Sequence, residues 1–536
     1  MEDPAPSRRS IILASIVVAW IAIALRVPSC YESFWLDELH TAWCVWGSLG
    51  DVLPRAQIGH QSPFYFVGLW FWRQIVGDSE VALRLSSVLA IAASSVVLTV
   101  GVARWTSSIA AGLAAGFVIA LESNAIFYGT ELRPYAFVIL FASLAVACFL
   151  RLAATDSRHA HRRYWSAMVI VILLSALFQP TSLGVLASLP LALCCIWLVR
   201  DSRQFLRITL LDILLGLMVA AVAFALWRLT LADTWQQRSS WASFAQATHV
   251  RQIWEIWEWN WLLLVPVGSM LISVAIAKFR KTISCNREVL VTTLLLAMIA
   301  FVATSLYWVV SRADWVPIWH RRYFIAVLPI LASVTGGSIS AAESVLRPHR
   351  AASLIGLLAA TLLAIGLTHK QGTLRRLPDY PVALAIRGED WRAANAWIRA
   401  NADESDRIYL DSGLVEAHAW LDRGNGLVKH GNRQIIVSPP DRQPTAEQLD
   451  YLVFATKGPY DIGHRVLPTT MGSSLRTYQL PSRWRDVAGN EIAVRRTIVI
   501  TRRPANQINR FQQFRGSKAF SFGNLSVIVR ENRLAR

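Results

Sequence analysis

The feature that most constrains this chain is a series of apolar runs that fills the sequence up to about residue 368. A helix of about 20 apolar residues crosses a hydrocarbon core of roughly 30 Å. A backbone in contact with lipid must be helical, because lipid offers it no hydrogen-bond partners. We therefore expect about eleven membrane spans, and the candidates are residues 11–25, 81–103, 108–127, 134–152, 165–180, 181–199, 208–230, 261–279, 289–310, 323–341 and 351–368.

The basic residues of the short loops set the expected orientation, since Lys and Arg are enriched in cytoplasmic loops. The densest basic loops are residues 151–163, 200–207, 278–287 and 346–350. With these inside, the N-terminus is cytoplasmic, and the C-terminal region and the long first loop, residues 27–80, are extracytoplasmic. The apolar run 63–76 within that loop is too short for a span, which favours an interfacial or re-entrant helix.

Composition excludes several classes of protein. Hydrophobic residues make up 54% of the chain and charged residues only 16%, whereas a soluble domain carries about 25% charge. The net charge of +18 does not indicate nucleic-acid binding in a chain this apolar, with 23 Trp. Six Cys are too few for a disulfide-rich scaffold. No phosphate-binding or dinucleotide glycine motif follows a strand, so ATP-driven transport and nicotinamide chemistry have no support.

The tail differs in character from the rest. Residues 369–536 are of mixed polarity, with a helical pattern over 389–400 that begins with acidic residues. Strand patterns follow at residues 406–412, 433–438, 450–456, 491–501 and 524–530. We therefore expect a mainly α protein with a multi-span membrane domain, residues 1–368, and a small extracytoplasmic α/β domain, residues 369–536. A lid and an acceptor-recognition module are both open roles for this tail.

Charged and polar side chains recur at the expected outer ends of the spans. The candidates for chemistry are Asp37, Glu38, His60, Arg84, Glu131, Arg133, Arg321, Arg322 and Tyr323. Ionisable groups close to a membrane are costly unless they are paired or functional. The local pattern leaves two interpretations open for each: a loop charge or headgroup-seeking arginine, or a member of a catalytic site.

Five motifs in order carry a family resemblance: FWLDELHTAW (34–43), HQSPFYF (60–66), ALRLSSVLA (82–90), GTELRPYAF (129–137) and WHRRYFIAVLP (319–329). On the expected topology, this succession resembles the C-type integral-membrane glycosyltransferases. Within them it is similar to the group of protein O-mannosyltransferases and lipid A aminoarabinose or galacturonic acid transferases. One departure is that the His of the family pattern falls on Gln61, with His60 one place earlier.

The resemblance implies a glycosyltransferase that takes its sugar from a polyprenyl-phosphate donor and passes it, with inversion, to a hydroxyl of an envelope glycan, lipid or protein. It implies that Asp37 is the general base or a ligand of a divalent cation (Mg, Mn or Zn). Glu131 is then a second contact to acceptor or metal. Glu38 belongs to the same acidic pair, although two adjacent side chains rarely converge on one atom.

Departure of the lipid phosphate develops negative charge that fixed cations must stabilise. Arg suits this because its planar fork binds phosphate in a bidentate way. The expected phosphate-binding residues are Arg84, Arg133, Arg321, Arg322, Tyr323 and His60. The expected location is the bacterial inner membrane, with membrane lipids around the protein and no nucleic-acid partner.

Two other classes stay open at this point. A transporter or flippase of lipid-linked saccharides is one, although such proteins carry ionisable residues in mid-helix. Here the acids cluster in outer loops, with Glu122 and Asp212 as exceptions. A membrane-anchored binding protein that uses only its tail is the other, and eleven spans are excessive for an anchor. Cys30 and Cys44 bracket the Asp37 loop, either as a disulfide or as two free thiols.

Overall fold

The structure is a computed structural model of the chain. It describes residues 6–58, 61–154, 158–200, 245–264, 266–271, 286–346, 352–370 and 373–402 except 382 and 385, with shorter pieces within 216–228, at 275 and within 406–531. The chain divides into two compact units. Unit 1 comprises Met1–Cys30 and Arg84–Ala385, and unit 2 comprises Tyr31–Leu83 and Ile386–Arg536. The boundary expected between residues 368 and 369 stays a prediction.

Helices account for most of the described residues. In chain order they are α1 (Arg8–Ala24), α2 (Leu36–Trp46), α3 (Leu49–Ile58), α4 (Pro63–Val76), α5 (Glu80–Thr106), α6 (Ile109–Leu121), α7 (Ser123–Gly129), α8 (Tyr135–Ala154), α9 (Arg158–Phe178), α10 (Leu183–Leu186), α11 (Ser188–Arg200), α12 (Gln252–Glu255), α13 (Arg287–Arg312), α14 (Val327–Leu346), α15 (Ala352–Lys370), α16 (Thr373–Arg376), α17 (Trp391–Asn401) and α18 (Ala505–Ile508). Short 3₁₀ segments lie at Val27–Tyr31, Pro180–Ser182, Arg321–Tyr323 and Leu377–Asp379, and Asn260–Leu264 forms a π-helical turn.

The chain is a multi-pass membrane protein. Four helical segments are long and apolar enough to cross a bilayer: Arg8–Tyr31, Glu80–Thr106, Tyr135–Ala154 and Arg287–Arg312. The pair α6 and α7, bent by 57°, makes a fifth if it is one span. Shorter apolar helices cover Pro180–Ile196, Asn260–Leu271 and Ser353–His369. The total of eleven stays a prediction, since most of the expected span 208–230 lies outside the described residues.

The centre of unit 1 is α6, a helix of small apolar residues that contacts α1, α14 and α15. Ser108 starts it, its side chain accepting a hydrogen bond from Ala111 N at 3.0 Å, which satisfies one of the open N–H groups of a helix start. A Cβ on Gly116 would collide with Thr99 Oγ1 of α5. Glycine at this position therefore lets the two helices approach closely.

Unit 2 begins with three helices in the long segment after the first apolar run. Helices α2, α3 and α4 pack against one another. Trp70 Nε1 donates to the Gly47 carbonyl at 2.9 Å and Arg73 Nη1 to the Val45 carbonyl at 2.8 Å. These bonds attach α4 to the end of α2. The run 63–76 is the fourteen-residue helix α4.

The tail in unit 2 carries a small α/β fold. Its five-stranded sheet has the order β4 (Val466–Leu467), β1 (Arg407–Leu410), β7 (Arg496–Thr501), β9 (Leu525–Glu531) and β8 (Lys518–Phe522). Strand β1 is parallel to β4 and β7, and β9 pairs antiparallel with β7 and β8. Helix α17 packs on β8 and β9, with the ring of Trp397 4.4 Å from that of Phe520.

The mainly α fold with a small α/β tail is confirmed. Two-stranded antiparallel pairs join β2 (Leu427–His430) to β3 (Arg433–Ile436) and β5 (Trp484–Arg485) to β6 (Glu491–Ile492). The expected strand over 450–456 lies outside the described residues. Strand β8 has no counterpart among the predicted strands, and neither do β2, β4 and β5.

Candidate functional site

Glu122 occupies the corner between α6 and α7 in unit 1. It ends α6 and begins α7, and it is fully buried. Its Oε2 accepts a hydrogen bond from Ala125 N at 2.9 Å, and its Oε1 accepts one from Asn124 Nδ2 at 2.6 Å. A carboxylate that accepts N–H groups at a helix start stabilises that start. Glu122 therefore holds the bend that brings the chain to the turn at residues 129–135, which is expected on the outer side.

Arg26 lies behind this corner and is fully buried. Its Nη1 donates to the carbonyls of Ala22 at 2.8 Å and Ala120 at 3.0 Å, and its Nη2 donates to Ile119 at 3.2 Å. These carbonyls lie near the carboxyl ends of α1 and α6, where a cation is favoured. Arg26 is not among the predicted site residues, because its place at the end of an apolar run indicates a charge there but not the carbonyls that it binds.

Asn124 connects the corner to Arg321. Arg321 Nη1 donates to Asn124 Oδ1 at 3.1 Å, and Arg321 Nη2 donates to the Glu255 carbonyl at 3.4 Å. Arg321 is half-buried, whereas Asn124 is buried. Arg321, a predicted phosphate ligand, is thus held in part by Asn124, which lies outside the five motifs.

The turn after α7 carries Glu131 and Arg133, both buried. Ser87 Oγ of α5 donates to the Glu131 carbonyl at 2.7 Å, which ties the turn to α5. On either side of the turn, the rings of Tyr128 and Tyr135 lie 5.0 Å apart. The turn is therefore fixed at both ends by buried groups.

The charges of predicted site residues from two distant motifs act on these two tyrosines. The charges of Glu131, Arg133 and Arg322 all act on the Tyr135 hydroxyl. Arg321 acts with Glu131 and Arg322 on that of Tyr128. Within unit 1 the fold thus brings the GTELRPY and WHRRYF motifs together.

The segment Arg321–Tyr323 is a single 3₁₀ turn that His320 begins. His320 Nδ1 accepts from Arg322 N at 3.4 Å. Arg322 Nη2 donates to Tyr323 OH at 3.0 Å, and its guanidinium carbon lies 5.0 Å from the centre of that ring. Burial, followed by the positive charges of Arg322 and Arg321, lowers the pKa of His320 to about 4. His320 is therefore neutral at pH 7. Its role in capping the 3₁₀ turn is not predicted from the sequence.

Arg84 is fully buried near the start of α5. Its Nη1 donates to the Cys30 carbonyl at 3.0 Å, so Arg84 holds the end of the first span. Cys30 and Cys44 are both buried free thiols. Of the two alternatives for these cysteines, the structure has the unbridged one.

In unit 2, Asp37 and Glu38 lie in the first turn of α2. Glu38 is fully buried, and its Oε2 accepts from Trp35 N at 3.3 Å across that turn. Asp37 is half-buried, and its carbonyl accepts from Thr41 Oγ1 at 3.0 Å. Successive helical residues project about 100° apart, so the two carboxylates face different surroundings. His60 lies outside the described residues.

The segment before Asp37 is bound by the tail within unit 2. Phe34 N donates to Glu80 Oε1 at 3.0 Å, and the other oxygen of Glu80 forms an ion pair with Arg392. Arg392 N also donates to Ser33 Oγ at 3.2 Å, and Arg387 N to Glu32 Oε2 at 3.0 Å. The tail therefore contributes to the position of the loop that carries the acidic pair.

No group of three or more His, Cys, Asp or Glu side chains among the described residues is arranged to hold a metal ion. Asp37 belongs to unit 2 and Glu131 to unit 1. Their role as metal ligands stays a prediction.

Among proteins of known structure, the chain is similar in fold to ArnT. No family profile and no curated protein sequence matches the chain. ArnT from Cupriavidus metallidurans bound to undecaprenyl phosphate aligns with a TM-score of 0.51 and 12% identity over 98% of both chains. Its apo state gives 0.51 and 13% over 97% of both. An Archaeoglobus fulgidus oligosaccharyltransferase with zinc and sulfate aligns with 0.43 and 13%, over 91% of this chain and 67% of that one.

The agreement with ArnT extends over nearly the whole of both chains, the tail included. The resemblance that the sequence motifs indicate is thereby confirmed at the level of the fold, since the chain has an ArnT-like fold.

Proposed function

We propose that this protein is a glycosyltransferase that moves a sugar from a polyprenyl-phosphate donor to a hydroxyl acceptor. The observation that carries the proposal is that the charges of Arg133, Arg321, Arg322 and Glu131 all act on the Tyr128–Tyr135 pair in unit 1, where Arg321 is held by a hydrogen bond to Asn124. Three cations beside a buried acid on an outer turn form a phosphate-seeking site at a membrane surface. The likeness in fold to ArnT, solved with undecaprenyl phosphate bound, supports the choice of donor.

The arginines have a defined task in this reaction. When the bond between the anomeric carbon and the phosphate oxygen breaks, the lipid phosphate takes the electron pair and gains negative charge. Guanidinium groups fixed in advance stabilise that charge without reorganisation during the reaction. Arg321 and Arg322 are held by hydrogen bonds to Asn124 and Tyr323, respectively. We assign them as the main phosphate ligands, with Arg84 and Arg133 as further cations.

Asp37 is the general base in this proposal. The acceptor oxygen forms the new bond to the anomeric carbon while its proton passes to the Asp37 carboxylate, and direct displacement inverts the configuration. Its exposure suits this role better than the full burial of Glu38 does. No step requires a metal ion. Participation of Mg²⁺, Mn²⁺ or Zn²⁺ through Asp37 and Glu131 is a separate proposal, which activity assays with and without a chelator test.

The acceptor is an envelope glycan such as lipopolysaccharide, a lipid or a protein. The site faces the outer side of the bacterial inner membrane, as the basic loops predict. These finer assignments rest on the motif resemblance and on the distribution of charge.

A deletion strain tests the proposal. Mass analysis of its envelope glycans, lipids and proteins is expected to show the loss of one glycosyl residue that the wild-type gene restores. Asp37→Asn should fail to restore it. Asp51→Asn is the matched control, because Asp51 lies in the same loop, is half-buried like Asp37 and only bonds Ser48. Full restoration by Asp37→Asn would contradict the assigned base. Accumulation of an unflipped lipid-linked saccharide would instead indicate the flippase class.

A further inference from the structure

The corner between α6 and α7 contains a polar chain whose first member, Glu122, has no part in the proposed reaction. It runs from Glu122 through Asn124 to Arg321. The first two members are buried and the third is half-buried. All three belong to unit 1. Buried polar groups are costly unless they are hydrogen-bonded, so a connected chain that ends on a predicted phosphate ligand needs an explanation.

The hydrogen bonds fix the orientation of the Asn124 amide. Its Nδ2 donates to Glu122 Oε1 at 2.6 Å, so its Oδ1 is the atom left to face Arg321, at 3.1 Å from Nη1. Glu122 is itself fixed by Ala125 N at 2.9 Å and by Ser123 Oγ at 3.3 Å. The hydrogen bonds therefore fix the orientation of each side chain, from the backbone of α7 through Glu122 and Asn124 to the guanidinium of Arg321.

The corner has a rigid backing. Arg26 donates to the carbonyls of Ala120 and Ile119, the last turn of α6 before Glu122, and its Nε donates to the Ala125 carbonyl at 3.3 Å. A Cβ on Gly129 would collide with Arg26 Nε. The frame that carries Glu122 and Asn124 is thus closely packed and has little freedom to shift.

Chemistry explains why an amide stands between the acid and the arginine. A carboxylate in direct contact with Arg321 would occupy its fork and offset its charge, and it would compete with an incoming phosphate. A neutral amide oxygen holds one N–H group and leaves the charge available. The two observed bonds of Arg321, to Asn124 and to the Glu255 carbonyl, go to uncharged acceptors. They use two of the five N–H donors of a guanidinium.

We infer that Glu122 and Asn124 are positioning residues, which orient Arg321 for the lipid phosphate while keeping its charge unpaired. This inference rests on the proposed function, because it requires Arg321 to bind phosphate. Glu122 acts through Asn124, and Asn124 acts through Arg321. Neither residue touches the reacting atoms.

A double-mutant cycle tests the inference with the full-length protein in detergent and undecaprenyl phosphate as the probe. Asn124→Ala is expected to raise the Kd for undecaprenyl phosphate about tenfold, the value of one lost hydrogen bond to a charged group. Arg321→Gln is expected to raise it by about tenfold or more. In the Arg321→Gln background, Asn124→Ala should have no further effect, because its action passes through the missing guanidinium.

The outcomes separate the two levels of the argument. If Arg321→Gln binds the probe as the wild type does, the assignment of Arg321 in the proposed function is wrong, and the inference fails with it. If Arg321→Gln weakens binding but the effect of Asn124→Ala is additive with it, only the positioning inference is overturned. A merely structural role for Asn124 predicts that additive result.

An exchange of the two side chains gives a second measurement that keeps the buried hydrogen bonds. In the double variant Glu122→Gln/Asn124→Asp, the new glutamine can accept from Ala125 N and donate to the new aspartate. The carboxylate then sits directly on Arg321. We expect a folded protein with a thermal midpoint near that of the wild type and a Kd about tenfold higher. Wild-type affinity in this variant would overturn the inference.

Discussion

Each unit has a buried acid in or next to the first turn of a helix, and the surroundings of the two acids differ. Glu122 in unit 1 and Glu38 in unit 2 are both fully buried and both accept a backbone N–H at a helix start. The hydrogen-bond chain of Glu122 continues to Arg321 through Asn124. Beside Glu38 lies the more exposed Asp37. Burial of an acid at a helix start is therefore not itself a sign of catalysis. The role of each acid depends on the residues next to it: Asn124 and Arg321 for Glu122, and Asp37 for Glu38.

The largest expected effect concerns the two acids of unit 2, of which Asp37 is assigned as the base and Glu38 as a structural residue. We expect Asp37→Asn to lower the rate of sugar transfer by at least about 100-fold, the usual contribution of a general base. Glu38→Gln should retain most activity, because a glutamine oxygen can still accept from Trp35 N. The measurement is transfer by the purified enzyme from extracted lipid donor. A larger loss in Glu38→Gln than in Asp37→Asn would show that the buried acid carries the chemistry.

The next largest effect is expected at Arg26, which supports the corner of unit 1. Arg26→Met removes the donor from four backbone carbonyls, those of Ala22, Ile119, Ala120 and Ala125. We expect a loss of about 3 kcal/mol in the free energy of unfolding, since buried polar groups lose their partner. Thermal unfolding in detergent measures it. The control is Arg104→Met, because Arg104 is exposed near the end of α5. Equal midpoints for both variants would contradict the assigned role.

The sequence predicts the parts of this comparison that depend on local pattern. The apolar runs predict α5, α8 and α13, and the short run 63–76 predicts a separate short helix, which is α4. Its position relative to the membrane stays a prediction. The motifs predict that Glu131, Arg133, Arg321 and Arg322 are functional candidates, and the fold brings them together. Arg26 and Asn124 could not be predicted, because their partners lie on other elements and no local periodicity indicates such contacts. The grouping of residues 31–83 with the tail has the same cause, since the Glu80–Arg392 pair joins distant parts of the chain.

A smaller effect is expected from His320 in unit 1, which should make the stability of the protein depend on pH. His320 has a pKa of about 4 because of burial and the positive charges of Arg322 and Arg321, against about 6.5 in an unfolded chain. As the pH falls below about 6.5, the unfolded state takes up the proton before the native state does, so stability falls down to about pH 4. His320→Asn keeps an acceptor for Arg322 N and should flatten this slope. Thermal midpoints from pH 7 to pH 4 measure it, and an unchanged slope would refute the assignment to His320.

The smallest effect is expected where the tail holds the first outer loop in unit 2. The Glu80–Arg392 ion pair leaves the Arg392 side chain 53% exposed, so water and salt screen it, and its contribution is at most about 1 kcal/mol. Glu80→Gln keeps the acceptor for Phe34 N but loses the charge. We expect faster hydrogen exchange at residues 31–34, with a difference that shrinks at high salt. The control is Glu255→Gln, which removes the exposed pair with Arg251 in unit 1 and should leave residues 31–34 unchanged. Equal exchange in Glu80→Gln and in the wild type at low salt would mean that the hydrogen bonds from the backbone N–H groups of Arg392 and Arg387 to the side chains of Ser33 and Glu32 hold the loop without the ion pair. The charge on Glu80 would then have no part in placing Asp37.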